Sequence, residues 1–129
     1  FMIEPEDIPY TNIVRKNAQG TRVETRLNEA IAKVLDTHDA QARLLFETYN
    51  LGQILFSDTV LIAEGDTEKQ VLPPLMKKVI GKTLGELKLA LVIANGSQSI
   101  SGMMNILKEM NIPVKALADL DFAFSAHKF

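Results

Sequence analysis

The apolar positions of this chain follow two different periods, and the change from one to the other marks out its elements. Thr59-Val60-Leu61-Ile62-Ala63 and Leu89-Ala90-Leu91-Val92-Ile93 are short, nearly continuous apolar runs, and Val114-Lys115-Ala116-Leu117-Ala118 is a third, broken only by Lys115. Runs of this length, rich in branched residues and bounded by polar turns, predict strands buried on both faces. Between them the spacing becomes helical. A helix is expected from Asp66 or Thr67 to near Gly81, interrupted or restarted at Pro73-Pro74, and a second from Ile100 to Met110 with Met103, Ile106, Leu107 and Met110 on one face. Alternating strands and helices imply an α/β fold with neighbouring parallel strands covered by helices.

The chain before residue 51 reads differently. Glu4-Pro5-Glu6-Asp7 and Ile8-Pro9 predict loop, because proline fixes φ and drives its predecessor towards extended geometry. Asn17-Ala18-Gln19-Gly20 predicts a turn between short strands at Ile13 to Lys16 and Thr21 to Glu24. From about Glu24 to Tyr49, Leu27, Ile31, Val34 and Leu35, then Leu44, Leu45 and Tyr49, recur at helical spacing, and Asp36-Thr37-His38-Asp39 breaks the run. That pattern predicts a bent helix or helical hairpin over residues 23–50, suited to an arm between domains, with a stop at Asn50-Leu51-Gly52.

Composition narrows the function classes. The net charge is -2, from 14 basic and 16 acidic residues, so there is no basic footprint for holding nucleic acid by bulk electrostatics. The absence of cysteine excludes a disulfide scaffold, a thiolate zinc site and a cysteine nucleophile, and fits a reducing cytoplasm. No apolar run reaches the roughly 18 residues of a membrane helix. A start on Phe1 and an end eight residues after Asp121 lead us to expect a piece of a longer protein.

In an open parallel α/β sheet, ligands sit beyond the carboxyl ends of the strands. The three predicted strands end in Glu64-Gly65-Asp66-Thr67-Glu68, in Asn95-Gly96-Ser97 and in Asp119-Leu120-Asp121. Asp119 and Asp121, two apart, point to one side if strand geometry persists. Glu64 at a strand end and Glu68 in the next helical turn can face the same point, with Gly65 expected to permit the sharp turn. Four carboxylates at one edge repel each other unless a cation stands among them, and hard oxygen donors suit Mg²⁺, Mn²⁺ or Ca²⁺ rather than zinc. Glu64, Glu68, Asp119 and Asp121 are therefore the candidate metal ligands.

The ordered pair of a strand ending in Glu64-Gly65 and a later strand ending in Asp119-Leu120-Asp121 resembles the Toprim signature. The wording Glu64-Gly65-Asp66-Thr67-Glu68, with Leu55-Phe56-Ser57-Asp58 before it and Leu72-Pro73 after it, resembles the OLD (overcoming lysogenization defect) branch, ATP-dependent endonucleases that include the nuclease subunit of Gabija-type phage defence. The resemblance covers about residues 51–121, and more loosely the arm before them. It implies a Rossmann-like parallel sheet and metal-dependent cleavage of DNA, with Glu64, Asp119 and Asp121 catalytic and two Mg²⁺ or Mn²⁺ ions in the complete site. It also implies an ATPase domain upstream, of which residues 1–22 would be the tail, leaving 51–129 as the front part of a Toprim domain that lacks its C-terminal end. The chain has no glycine-rich loop ending in Gly-Lys-Ser/Thr, so ATP would act only through a domain outside it. A cytoplasmic homo-oligomer with a defence partner protein is the implied setting.

Other readings compete at individual positions. Glu64 and Glu68 also suit a helix N-terminus, where the macrodipole favours acids. Asp66 reads better as an N-cap than as a ligand. Asn95, Gly96 and Ser97 read first as a turn and cap, with Ser97 a secondary candidate for a phosphate or metal contact. His38 and His127 lack ligand spacing, and Lys115 and Lys128 are weak candidates for DNA phosphate contacts. At the level of the whole chain, the alternatives to a nuclease are a non-catalytic assembly module of a larger ATPase complex and a primase- or topoisomerase-type Toprim domain.

Overall fold

The computed structural model describes residues 7–34 and 51–119. A 3-10 turn at Ile8–Tyr10 leads into β1 (Val14–Asn17) and β2 (Gly20–Val23), an antiparallel hairpin in which Val14 pairs with Val23. Helix α1 (Leu27–Val34) follows, and after the undescribed stretch come a short α2 (Leu51–Leu55), β3 (Thr59–Ala63) and α3 (Asp66–Ile80). The chain then forms β4 (Leu89–Ile93), α4 (Ser97–Glu109) and β5 (Val114–Leu117). The expected continuation of the helical pattern from Leu35 to Tyr49 lies outside the described residues, as does Asp121.

The sheet has the order β4-β3-β5, and both pairings are parallel. Val60 stands between Ala90 and Val114, and Ile62 between Val92 and Ala116. Parallel neighbours were expected; among the described residues β3 occupies the centre, and β4 and β5 each pair with β3 alone. The Rossmann-like α/β arrangement inferred from the sequence is the arrangement observed.

The two faces of the sheet are covered unequally. Val60, Ile62, Ala90 and Val92 are buried in one cluster with Ile100, Met103, Ile106 and Leu107 of α4, Leu27, Ala30 and Ile31 of α1, Ile54 of α2, and Ile13 at the foot of the hairpin. That core draws on segments before and after residue 51, and the ion pair Lys33–Glu109 adds an exposed link between α1 and α4. On the other face α3 buries no residue fully; Met76 and Ile80 line a groove with Leu61, Leu87 and Leu89, while Val71, Leu75 and Val79 remain exposed.

Local differences from the sequence reading have physical causes. Helix α3 runs through Pro73 and Pro74 without the expected break. A surface helix can leave the carbonyls that lose a partner to proline facing water, which reduces the usual cost. It ends at Gly81, whose φ of 76° is left-handed and whose N–H donates to the Lys77 carbonyl at 3.0 Å. Gly52, expected to stop a helix, instead lies within α2. Among the described residues no helix is long and apolar enough to cross a membrane.

One polar joint lies within this packing. Glu24 is 3% exposed and its Oε1 pairs with Arg22 Nε at 2.6 Å, while Arg15 donates to the Ser57 carbonyl at 3.0 Å. The Glu24 Oε2 and the Arg15 Nε–H are both buried without a partner. Since Arg15 is registered with Arg22 and Glu24 lies two residues on, all three side chains share one face of the hairpin.

The asymmetry of the sheet predicts the pattern of stability. Ile62→Ala, at a site with no exposure, should cost about 2–5 kcal/mol. Val79→Ala, at a site 72% exposed, should stay within about 0.5 kcal/mol of the wild type. Urea unfolding of both variants measures the contrast.

Candidate metal centre at the carboxyl edge of the sheet

The candidate site begins where the β3 ladder ends. Beyond Ala63 the parallel pairing continues for one more step on the β4 side: the Ala94 N–H donates to the Ala63 carbonyl at 2.8 Å, and the Gly96 N–H to the Glu64 carbonyl at 3.1 Å. From the β5 side the Asp119 N–H donates to Glu64 Oε2 at 3.2 Å. Glu64 is thus held by its main chain on one side and by its carboxylate on the other. It is half-buried, whereas Asp119 is exposed. A backbone N–H donating to an ionised carboxylate is a charge-assisted bond, stronger than its neutral counterpart.

The helix that follows is set up differently from the sequence expectation. Gly65, not Asp66, is the N-cap of α3, and its φ of -147° is extended backbone that any residue adopts, so the turn does not require glycine. A Cβ placed there would lie 3.5 Å from Glu68 Oε2, an ordinary contact. Asp66 is the first helical residue and is exposed. Glu68, at the third helical position, turns back so that its Oε2 accepts the Gly65 N–H at 3.0 Å, one half of a capping box. Of the two glutamates, Glu68 takes the helix-end role and Glu64 does not.

Ser97 opens α4 directly after the Asn95-Gly96 turn, beside the same edge. The structure therefore brings together Glu64 and the backbone of Asp119, and it places Glu68 and Ser97 on the adjoining helix starts. The donor set is all oxygen, which fits a hard divalent cation. Among the described residues no three acidic or histidine side chains stand close enough to hold a metal ion, and Asp121 lies outside them. The sequence reading missed the bond from Gly96 to Glu64; the Asn-Gly dipeptide at a strand end, a recognised turn signal, was the only trace of it.

With this geometry in place, comparison with known proteins identifies the class. The model for the Toprim domain of overcoming lysogenization defect protein-like proteins matches residues 55–121, more than half of the chain, and the chain belongs to this OLD-like Toprim family. It is also 34% identical over 109 residues to the Old nuclease of Escherichia phage P2, a match that takes in 84% of this chain. The chain spans about a fifth of that relative, the match covering 19% of its length.

The two roles of Glu68 separate by substitution. Glu68→Ala removes the acceptor for the Gly65 N–H and should cost about 1 kcal/mol without metal. Glu68→Gln keeps an oxygen in place and should stay within about 0.5 kcal/mol. Thermal unfolding in the presence of a chelator measures both.

Proposed function

We propose that this chain supplies the metal-binding front of the nuclease site in an OLD-like enzyme, a hydrolase that cleaves DNA phosphodiesters with Mg²⁺ or Mn²⁺. The observation that carries this reading is the convergence of Glu64 and Asp119 at the carboxyl edge of a parallel sheet, within the residues that match the family. Glu64, Asp119 and Asp121 hold the cation in this reading. Glu68 joins them if it exchanges its Gly65 contact for the ion, and Ser97, at the start of α4, is proposed as a contact to a phosphate oxygen or the metal. A divalent ion held by these residues would supply a water of lowered pKa for hydrolysis, and a second ion would offset charge on the leaving oxygen. The residues of the chain fix the geometry: the Asp119 N–H orients the Glu64 carboxylate, and the sheet holds the ends of β3 and β5 side by side.

The chain carries a net charge of -2, so attraction for the DNA phosphates must come from the bound cations or from other parts of the enzyme. Residues 1–22 are proposed as the tail of an upstream ATPase domain, 23–50 as the arm joining it to the Toprim unit, and 51–129 as the front of that unit. ATP would act through the upstream domain. A cytoplasmic homo-oligomer acting with a partner protein in anti-phage defence is the setting that fits this reading. A second reading, an assembly module without catalysis, draws on the exposed Val71, Leu75 and Val79 of α3 and on the capping role of Glu68.

Substitution in the full-length protein separates the two readings. Glu64→Gln keeps an acceptor for the Asp119 N–H but removes the charge, and it should abolish Mg²⁺- or Mn²⁺-dependent DNA cleavage while leaving the gel-filtration profile unchanged. The double change Asp119→Ala with Asp121→Ala should do the same. Fewer like charges at one edge should hold or raise metal-free stability. Wild-type cleavage by the Glu64 variant would overturn the catalytic reading. An inactive wild type whose assembly is lost on changing Val71, Leu75 and Val79 would establish the assembly module.

A further inference from the structure

We propose that Gly96 is a positioning residue for the metal centre, holding the Glu64 peptide from the β4 side through a backbone conformation open to glycine alone. The inference rests on the metal-site reading of Glu64 and extends it to a residue that offers no ligand atom.

Glu64 stands one residue beyond β3, where the ladder would otherwise end and the main chain fray. A carboxylate ligand works only if it is held to within about half an ångström of its productive position, which requires a fixed backbone beneath it. The Gly96 N–H supplies that anchor by donating to the Glu64 carbonyl at 3.1 Å. To reach it, the chain leaves β4 through two successive positive φ values, 52° at Asn95 and 126° at Gly96. Asparagine is among the few side-chain-bearing residues that enter the left-handed region readily. Gly96, with ψ of 149°, lies in a region that residues other than glycine essentially do not occupy.

Packing does not explain the glycine. A Cβ built at Gly96 meets nothing within 4 Å, so an added methyl group would find open space. The demand is conformational, and what the conformation achieves is the bond to Glu64. The same residue is also the N-cap of α4, where its carbonyl accepts the Ser99 N–H at 3.3 Å, and Ser99 and Ile100 are buried. Gly96 therefore ties the Glu64 peptide to a helix whose inner face is fixed in the core. A residue with a side chain would relax towards an allowed φ, swing its N–H away, and leave Glu64 held only by Asp119.

The test measures Mn²⁺ binding to the full-length protein by electron paramagnetic resonance, alongside thermal unfolding in chelator. Gly96→Ala should weaken Mn²⁺ binding roughly 10- to 100-fold, the range seen when groups that orient metal ligands are removed. Gly85→Ala, also with open space around its Cβ and no positive φ, should bind as the wild type does. Asn95→Gly should keep the affinity and Asn95→Val should lose at least tenfold, because a branched residue resists the left-handed region. That pair decides the matter if Gly96→Ala fails to fold. A lowered unfolding midpoint with unchanged Mn²⁺ affinity in Gly96→Ala, or equal affinities in the two Asn95 variants, would overturn the proposal while leaving the metal site standing. Unchanged Mn²⁺ binding in Glu64→Gln would overturn the metal-site reading itself, and this inference with it.

Discussion

Two backbone N–H groups reach Glu64 from opposite sides, one from Gly96 beyond β4 and one from Asp119 beyond β5, and the chemistry of this edge depends on that pincer. It exists because β3 is the central strand of a parallel sheet. Parallel strands all end at the same edge, so the residue after the central strand is flanked by the residues after both neighbours. A glutamate there is half-buried and hydrogen-bonded, while the neighbouring Asp119 and Asp66 remain open to solvent. On the proposed metal-site reading, carboxylates brought to this edge would repel each other until a cation joined them.

What keeps the strands in place is the uneven core. The face carrying Val60, Ile62, Ala90 and Val92 is sealed by α4 and α1, with Ile13, Leu27 and Ile54 drawing the earlier segments into the same cluster. The opposite face is covered by α3, which buries nothing completely. The larger core therefore lies on the α4 and α1 side of the sheet, while the exposed positions of α3, such as Val79, can tolerate substitution. The buried Glu24 with Arg22, and Arg15 on the Ser57 carbonyl, fasten the hairpin just ahead of β3, whose far end leads into Glu64.

Much of this arrangement was legible in the residues. The runs 59–63 and 89–93 form strands with the expected bounds, because continuous branched apolar stretches closed by polar turns leave little alternative. Strand β5 came within one residue, though Lys115, Ala116 and Leu117 proved exposed, since an apolar run cannot reveal that its strand lies outermost among the described strands of the sheet. Met103, Ile106, Leu107 and Met110 all proved buried, as helical spacing implied. Illegible were the features set by backbone geometry. Pro73 and Pro74 sit inside α3 because helix propensity yields to the surface position of that helix. Gly65 attracted notice for a conformation it does not adopt, whereas Gly96, read as a plain turn, adopts the one that only glycine can. The capping contact of Glu68 was written in the spacing from Gly65, yet the same spacing equally suited a ligand.

The account stands or falls on whether Glu64 and the aspartates after β5 share a cation. A crystal structure of the full-length protein grown with Mn²⁺ and measured at the manganese absorption edge tests this directly. The predicted result is an anomalous peak about 2.0–2.6 Å from oxygens of Glu64 and of Asp119 or Asp121. A well-ordered edge with no peak there, the Glu64 carboxylate still bound only to the Asp119 N–H, or a peak at some other part of the chain would contradict it.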